Sequence, residues 1–451
     1  MRKKDLISNG IFFSRKPARE GALPQHIDRV RAILLDFTCT LVDSVDAYHE
    51  IHRTGDDNEV HCLEDDLLGS LDLDASNRAI VEECKIILNG ARRLHGGKDR
   101  EAEWQTFFLL NFFIPLASGV RLKDDDTRHT ARAKFYYEHF ESAQSRRWTL
   151  FRQKKVGEKK AERGFRQDDR ENLTEPKPDW VAYFPVHNFP RERIPTSKKW
   201  QFMRDPNNAM IENFSHTTLQ HLARHGVQSN TAGLFRKRQN QKTIVLSDCI
   251  CFPWLIVEHK KAGEVALEER CYCQAANAGT AAVMMLETLS GIVPGVKKHT
   301  ANEHIPPVVT MTTVDKIVRV WITYRCKLRG DDAIQYRMDC IWRGDMTRVL
   351  DLIKFRAILE DTHTWAMREQ RPRISTYIDL WKYKHPMKLR TGCEPGGLAP
   401  ALGHVRLRSP SPTATTKTGR QPLLDDDEAS AEEQKVKKNR GKNQRRNKRK
   451  N

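Results

Sequence analysis

Apolar residues in the segment 76–97, SNRAIVEECKIILNGARRLHGG, return at Ile80, Cys84, Ile87, Leu88, Ala91 and Leu94. Steps of three and four gather side chains on one side of a helix, and Gly96 and Gly97 supply its stop. The helical period continues through REAEWQTFFLLNFF and TARAKFYYEHFESAQSRRWTLFR, which predicts a helical region over 31–174. The period then shortens. PDWVAYFPV (178–186), KTIVLSDCI (242–250), WLIVEHK (254–260), PPVVTMTT, KIVRVWITYR and IQYRMDCIW are brief runs rich in β-branched and aromatic residues, as strands are. Helices punctuate them: FSHTTLQHLARHG (214–226) with Gly226 as its stop, a long one over about 264–290, and closing helices over 345–370 and ISTYIDLWKY. Strands alternating with helices predict an α/β fold, a mixed sheet flanked by helices, over 175–388.

The two ends read differently. Residues 1–30 resemble a loose basic arm, the charged run 153–172 a solvated helix or linker, and 389–451 a disordered tail rich in Pro, Ser, Gly and charge. Of a net charge of +18, ten units sit in the acid-free terminus KVKKNRGKNQRRNKRKN (435–451). Lys437, Lys438, Arg440, Lys442, Arg445, Arg446, Lys448, Arg449 and Lys450 make it an electrostatic footprint for nucleic acid, or an import signal. An intracellular, nuclear protein is the expectation, with its ten scattered cysteines reduced, since no apolar leader stands at the start. The most apolar stretch, FFLLNFFIPLASGV (107–120), is too short to span a bilayer, so no membrane partner is expected.

Charge changes the picture most in FPWLIVEHKK (252–261), where an apolar run delivers Glu258 and Lys260 two positions apart. On a strand these two share a side, and Val257 and His259 face the other way. Ionised groups removed from water cost several kcal/mol each unless compensated, so the pair is either a surface edge or a holder of something charged. A carboxylate from a second strand would complete an all-oxygen pocket for a hard divalent cation. Asp179, heading the strand after Pro178, is one candidate. Asp248 is the alternate acid: 248 and 258 are equidistant from Pro253, and a hairpin turning at FPW would set them opposite each other.

Strands ending in E-x-K, then a helix, then further strands, with Pro178-Asp179 ahead of them, resemble the PD-(D/E)XK nuclease-like fold. Over about 175–384 the chain is similar to a family of fungal proteins of that type. The resemblance is carried by FPWLIVEHKK, ERCYCQAANAGTAAVMMLETL, IPPVVTMTTVDKIVRVWITYR, YRMDCIWRGDMTRVLDLIKFRAILEDTHTWAMR and RPRISTYIDLW. It implies a restriction-endonuclease-like mixed sheet and a metal-dependent phosphodiesterase acting on nucleic acid. Asp179 and Glu258 become the ligands of Mg²⁺ or Mn²⁺, Lys260 the catalytic lysine, and Gln274 the glutamine that some of these nucleases place beside the site. The same resemblance allows a catalytically inactive fold serving as a nucleic-acid or protein interaction module.

Other signals lead elsewhere. ILLDFTCTLVDS (33–44) resembles the first motif of haloacid-dehalogenase phosphatases, with Asp36 as nucleophile, but Thr38 stands where the second aspartate belongs, and RGDDA (329–333) sits as a turn between strands. A buried strand or helix start is the better account of 33–44. The C-x-C pairs Cys249/Cys251 and Cys271/Cys273 read as small buried hydrophobes rather than zinc ligands, and His221 with His225 as an exposed helix face. Without G-x-S-x-G, Walker or G-x-G-x-x-G motifs, acyl hydrolase, P-loop and dinucleotide chemistry have no support.

Overall fold

A computed structural model of the chain describes residues 1–37, 75–95, 101–118, 139–149, 173–187, 208–232, 248–261, 265–291, 305–327 and 334–386. The basic terminus with its nine candidate nucleic-acid residues, the rest of 389–451, the run 153–172 and RGDDA lie outside these residues.

In chain order the elements are α1 (Lys3–Ile7), β1 (Ile11–Ser14), α2 (Gln25–Leu34), α3 (Ala75–His95), α4 (Glu101–Phe108), a π-helical turn (Leu109–Phe113) and α5 (Ile114–Ser118). There follow β2 (Glu141–Gln144), β3 (Trp180–Pro185), α6 (Asn208–Asn213), α7 (His216–Arg224), β4 (Ile250–Lys260) and α8 (Val265–Ser290). β5 (Val308–Val314), β6 (Ile317–Lys327), β7 (Ile334–Asp345), α9 (Val349–Trp365), a second π-helical turn (Ala366–Gln370) and α10 (Arg371–Lys384) complete the list.

The strands form a seven-stranded mixed sheet in the order β1-β7-β6-β5-β4-β3-β2. β4 and β5 are parallel, joined through α8, and β1 is parallel to β7, whereas the other neighbours are antiparallel. Nearly every β4 residue is buried, because neighbouring strands and helices enclose it; that is why its sequence reads as a continuous apolar run rather than an alternation. Pro253 interrupts this run without turning it. It sits where β4 shifts register against β3 and before the first β5 partner, Leu255, so its missing N–H breaks no ladder on that side. Phe252 beside it has φ +40°, and the bulges let one strand run unbroken from Ile250 to Lys260.

Three expectations change. Residues 1–30 are not a loose arm: Leu6 and Ile11 are buried, β1 pairs with β7, and α1 packs near α8. Short apolar stretches among basic residues gave no sign of this, because an edge strand needs only a few residues once a partner edge is waiting. The region 31–174 is not purely helical, since Glu141–Gln144 pairs with β3 as an edge strand. Nor is it a separate body, as residues 1–388 form one compact unit. Finally, the described part of 33–44 is the end of helix α2, so Asp36 follows a helix and not a strand.

α3 buries Cys84, Ile87, Leu88 and Ala91 as its period foretells, and Val81 besides. Small residues on α8 let it lie close to the sheet: a Cβ on Gly279 would fall 2.5 Å from the Thr323 hydroxyl and 3.0 Å from that of Thr310. Among the described residues no helix is long and apolar enough to cross a membrane.

Candidate active site

Asp179, one residue before β3, is tied to the end of β4 twice over. Its N–H donates to the Val257 carbonyl at 3.1 Å, and its carboxylate Oδ2 accepts from the His259 N–H at 2.8 Å. The antiparallel pairing of Trp180 with Val257 enforces this, bringing residues 80 apart in sequence into hydrogen-bond contact. Lys260 closes the group: its Nζ lies 3.9 Å from Asp179 Oδ2 and donates to Glu101 Oε1 at 2.9 Å, and to the His259 carbonyl. Glu101 opens α4 and was not foreseen from the sequence. Only the acid at the first turn of a helix hinted at it, and no local spacing links it to a strand end so far along the chain.

Glu258 is 2% exposed, and among the described residues its carboxylate accepts no hydrogen bond. Burial, with the neighbouring Asp179 carboxylate adding to it, pushes its pKa well above the usual value, against the pull of Lys260. Burial also raises Asp179, although the His259 N–H and Lys260 oppose it. For Lys260 burial works downward, but Asp179 and Glu101 outweigh it and hold the ammonium above its ordinary pKa. The corner therefore holds three carboxyl groups around one cation, with one of them inside low-dielectric protein.

The opposite side of β4 is sealed, as the alternation requires. The His259 ring stacks on Phe108 with centroids 5.7 Å apart, and Thr313 Oγ1 lies 2.6 Å from its Nδ1. Burial first, and Lys260 second, lower the pKa of this imidazole to about 3, so it is neutral. Phe113, in the first π-helical turn, stacks on Trp180 at 4.6 Å. Those rings hold α4, and hence Glu101, over the strand end. From the other face Cys271 of α8 donates its thiol to the Glu258 main-chain carbonyl at 3.7 Å.

Gln274 lies one helical turn beyond Cys271 and three residues before Asn277, whose amide donates to Thr174 just upstream of β3. Its buried Oε1 has no hydrogen-bond partner among the described residues. Asp248 is elsewhere. β4 is one strand, not a hairpin, so Asp248 lies two residues before its start, about 33 Å of extended chain from Glu258.

Cys249, Cys251, Cys271 and Cys273 are buried and form no disulfide; Cys251 donates to the Phe184 carbonyl at 3.4 Å. His221 and His225 are not simply a solvated face. His225 stacks on His385 at 4.1 Å, and His221 Nε2 lies 2.7 Å from the His385 carbonyl, so the two rings dock α7 against the end of α10.

Among the described residues no group of three His, Cys, Asp or Glu is arranged to hold a metal ion. Two carboxylates with water and a substrate phosphate are sufficient for Mg²⁺, which keeps several of its own waters. Asp179 and Glu258 fit that minimum. A buried carboxyl without hydrogen bonds, beside two further carboxyl groups, is a donor set that a divalent cation would relieve. Comparison with protein-family models, with curated proteins and with solved structures finds no match to this chain.

Proposed function

We propose that the corner formed by Asp179, Glu258, Lys260 and Glu101 is the active site of a metal-dependent phosphodiesterase of the PD-(D/E)XK type, acting on nucleic acid. The observation that carries this reading is the approach of Asp179 and Lys260 at the end of β4 beside the buried Glu258. Asp179 and Glu258 would hold Mg²⁺ or Mn²⁺. When bound, such an ion supplies charge opposite the phosphoryl oxygens and acidifies a water.

The chain's own residues do the rest. The His259 N–H fixes the Asp179 carboxylate through one oxygen and leaves the other open. Lys260, kept protonated by its acidic neighbours, offsets charge developing on the phosphoryl group and orients the attacking water. Glu101 positions that ammonium. Gln274 offers an unused acceptor from the helix above. The basic terminus 435–451 raises the local concentration of phosphate backbone without sequence choice.

The decisive assay supplies Mg²⁺ or Mn²⁺ and single- and double-stranded DNA and RNA to wild type, Glu258→Ala and Lys260→Ala. Removing a positioned electrostatic group costs about 10²–10³ in rate. Equal hydrolysis by all three proteins would defeat the assignment. A second reading, an inactive interaction module, is favoured by one feature: the Lys260 ammonium already has two acceptors, Glu101 and the His259 carbonyl. Salt-dependent binding without hydrolysis at any metal concentration is the result that reading expects.

A further inference from the structure

The end of α10 is tied to the rest of the fold in two stages. As far as Trp381 the ties are groups that do not titrate near neutral pH. Asn213 Nδ2, at the end of α6, donates to Ser375 Oγ and to Asp379 Oδ1, both at 2.8 Å, and the buried Trp381 donates its indole N–H to the Leu289 carbonyl of α8 at 2.7 Å. Lys382 then adds an exposed contact with Glu212 at 3.1 Å. Past that point the contacts are imidazoles. His385, which caps α10, stacks on Trp381 with centroids 5.5 Å apart and on His225 at 4.1 Å, the two imidazole planes only 18° from parallel. His221, one turn back on α7, meets His225 edge-on at 4.7 Å. Its Nε2 lies 2.7 Å from the His385 carbonyl, and since a carbonyl only accepts, that nitrogen carries the proton.

The charges around these rings set their response to acid. Burial first, then His385, His221 and Arg224, all hold the pKa of His225 below its ordinary value, and no acid opposes them. The carboxylates on the adjoining elements are engaged elsewhere: Asp379 of α10 by Asn213, Glu212 of α6 by Lys382, and Glu287 of α8 by Arg325 at 2.9 Å. Lys384, exposed in the last turn of α10, adds only positive charge. Neutral imidazoles can lie face to face, whereas two imidazolium rings at the same separation repel, with no anion to offset them.

We propose that the Trp381, His385, His225 and His221 rings form a proton-sensitive clasp, which holds the last turn of α10 on α7 while the imidazoles are neutral and releases it as they become charged. The direction follows from linkage: with its folded pKa below its unfolded value of about 6.5, His225 contributes fully above that pH and progressively less as pH falls through it. Release stops at Trp381, because the amide and indole ties before it keep the same form throughout. The clasp is independent of the acidic corner and of any hydrolysis there.

The test is hydrogen–deuterium exchange of the full chain, read by mass spectrometry as protection factors for residues 379–386, where the His385 N–H donates to the Trp381 carbonyl. From about pH 8 to about pH 5 the wild-type protection factor should fall about fivefold, the effect of two unit charges 4 Å apart in water. His225→Phe and His385→Phe each keep a flat ring and remove one of the two facing charges, so in both the fall should be less than about twofold. Protection over β6 should hold in all three proteins. A flat wild-type profile, an equal fall in the two phenylalanine variants, or a loss over β6 as large as that over 379–386 would each overturn the clasp.

Discussion

The carboxylate of Asp179 accepts the main-chain N–H of His259 at 2.8 Å, joining the start of one strand to the end of its neighbour. Asp179→Asn keeps an oxygen for this N–H, and its folding free energy should stay within about 1 kcal/mol of wild type. Asp179→Leu strands the donor and should cost about 1–3 kcal/mol. Urea unfolding of both variants separates the two; an equal loss would mean that charge, rather than the hydrogen bond, holds this junction.

Stability at the corner depends on pH in two opposing ways. Glu258 has a folded pKa above its unfolded value, so its contribution is largest when it is protonated and is lost as pH rises above about 4.5. His259 has a folded pKa near 3 against 6.5 unfolded, so its contribution is present above 6.5 and is lost as pH falls from there toward 3. Glu258→Gln should flatten the decline on the alkaline side, and His259→Gln the decline on the acid side, in melting curves taken from pH 4 to 8. Manganese should raise the melting temperature of wild type near pH 8 and leave that of Glu258→Gln unmoved; identical shifts would remove Glu258 from the binding set.

Replacing Gly279 by alanine forces a methyl group into the paired hydroxyls of Thr310 and Thr323, which lie 3.1 Å apart. Overpacking of this kind costs about 1–3 kcal/mol. Because α8 carries Cys271, whose thiol donates to the Glu258 carbonyl, the hydrolysis proposed for the corner should fall together with stability. A neutral Gly279→Ala would show that the helix can lift without consequence.

Leu6 is fully buried beside Tyr272, Cys273 and Trp321, so truncating it to alanine should cost about 2–4 kcal/mol. A loose arm would register less than about 0.5 kcal/mol in the same denaturation experiment.

The strand carrying Glu258 and Lys260, the long helix after it and the three strands beyond were legible, because each has its own apolar period and its own stops. Pro253 misled, since a proline inside an apolar run marks a turn or a bulge with equal ease, and only the missing β5 neighbour decides between them. β1 and β2 were illegible for a related reason: each is four residues long, too short to display a period, and each exists because a sheet edge receives it.

Local order along the chain determined the helices and strands long enough to show a period and set Glu258 and Lys260 on one side of β4, because backbone geometry repeats every two or 3.6 residues. Tertiary structure alone decided that Asp179, not Asp248, meets them, and that Glu101 joins from a helix. Those contacts depend on which strands become neighbours and in what register. That choice is made by burial summed over the whole sheet, a quantity no short stretch of sequence contains.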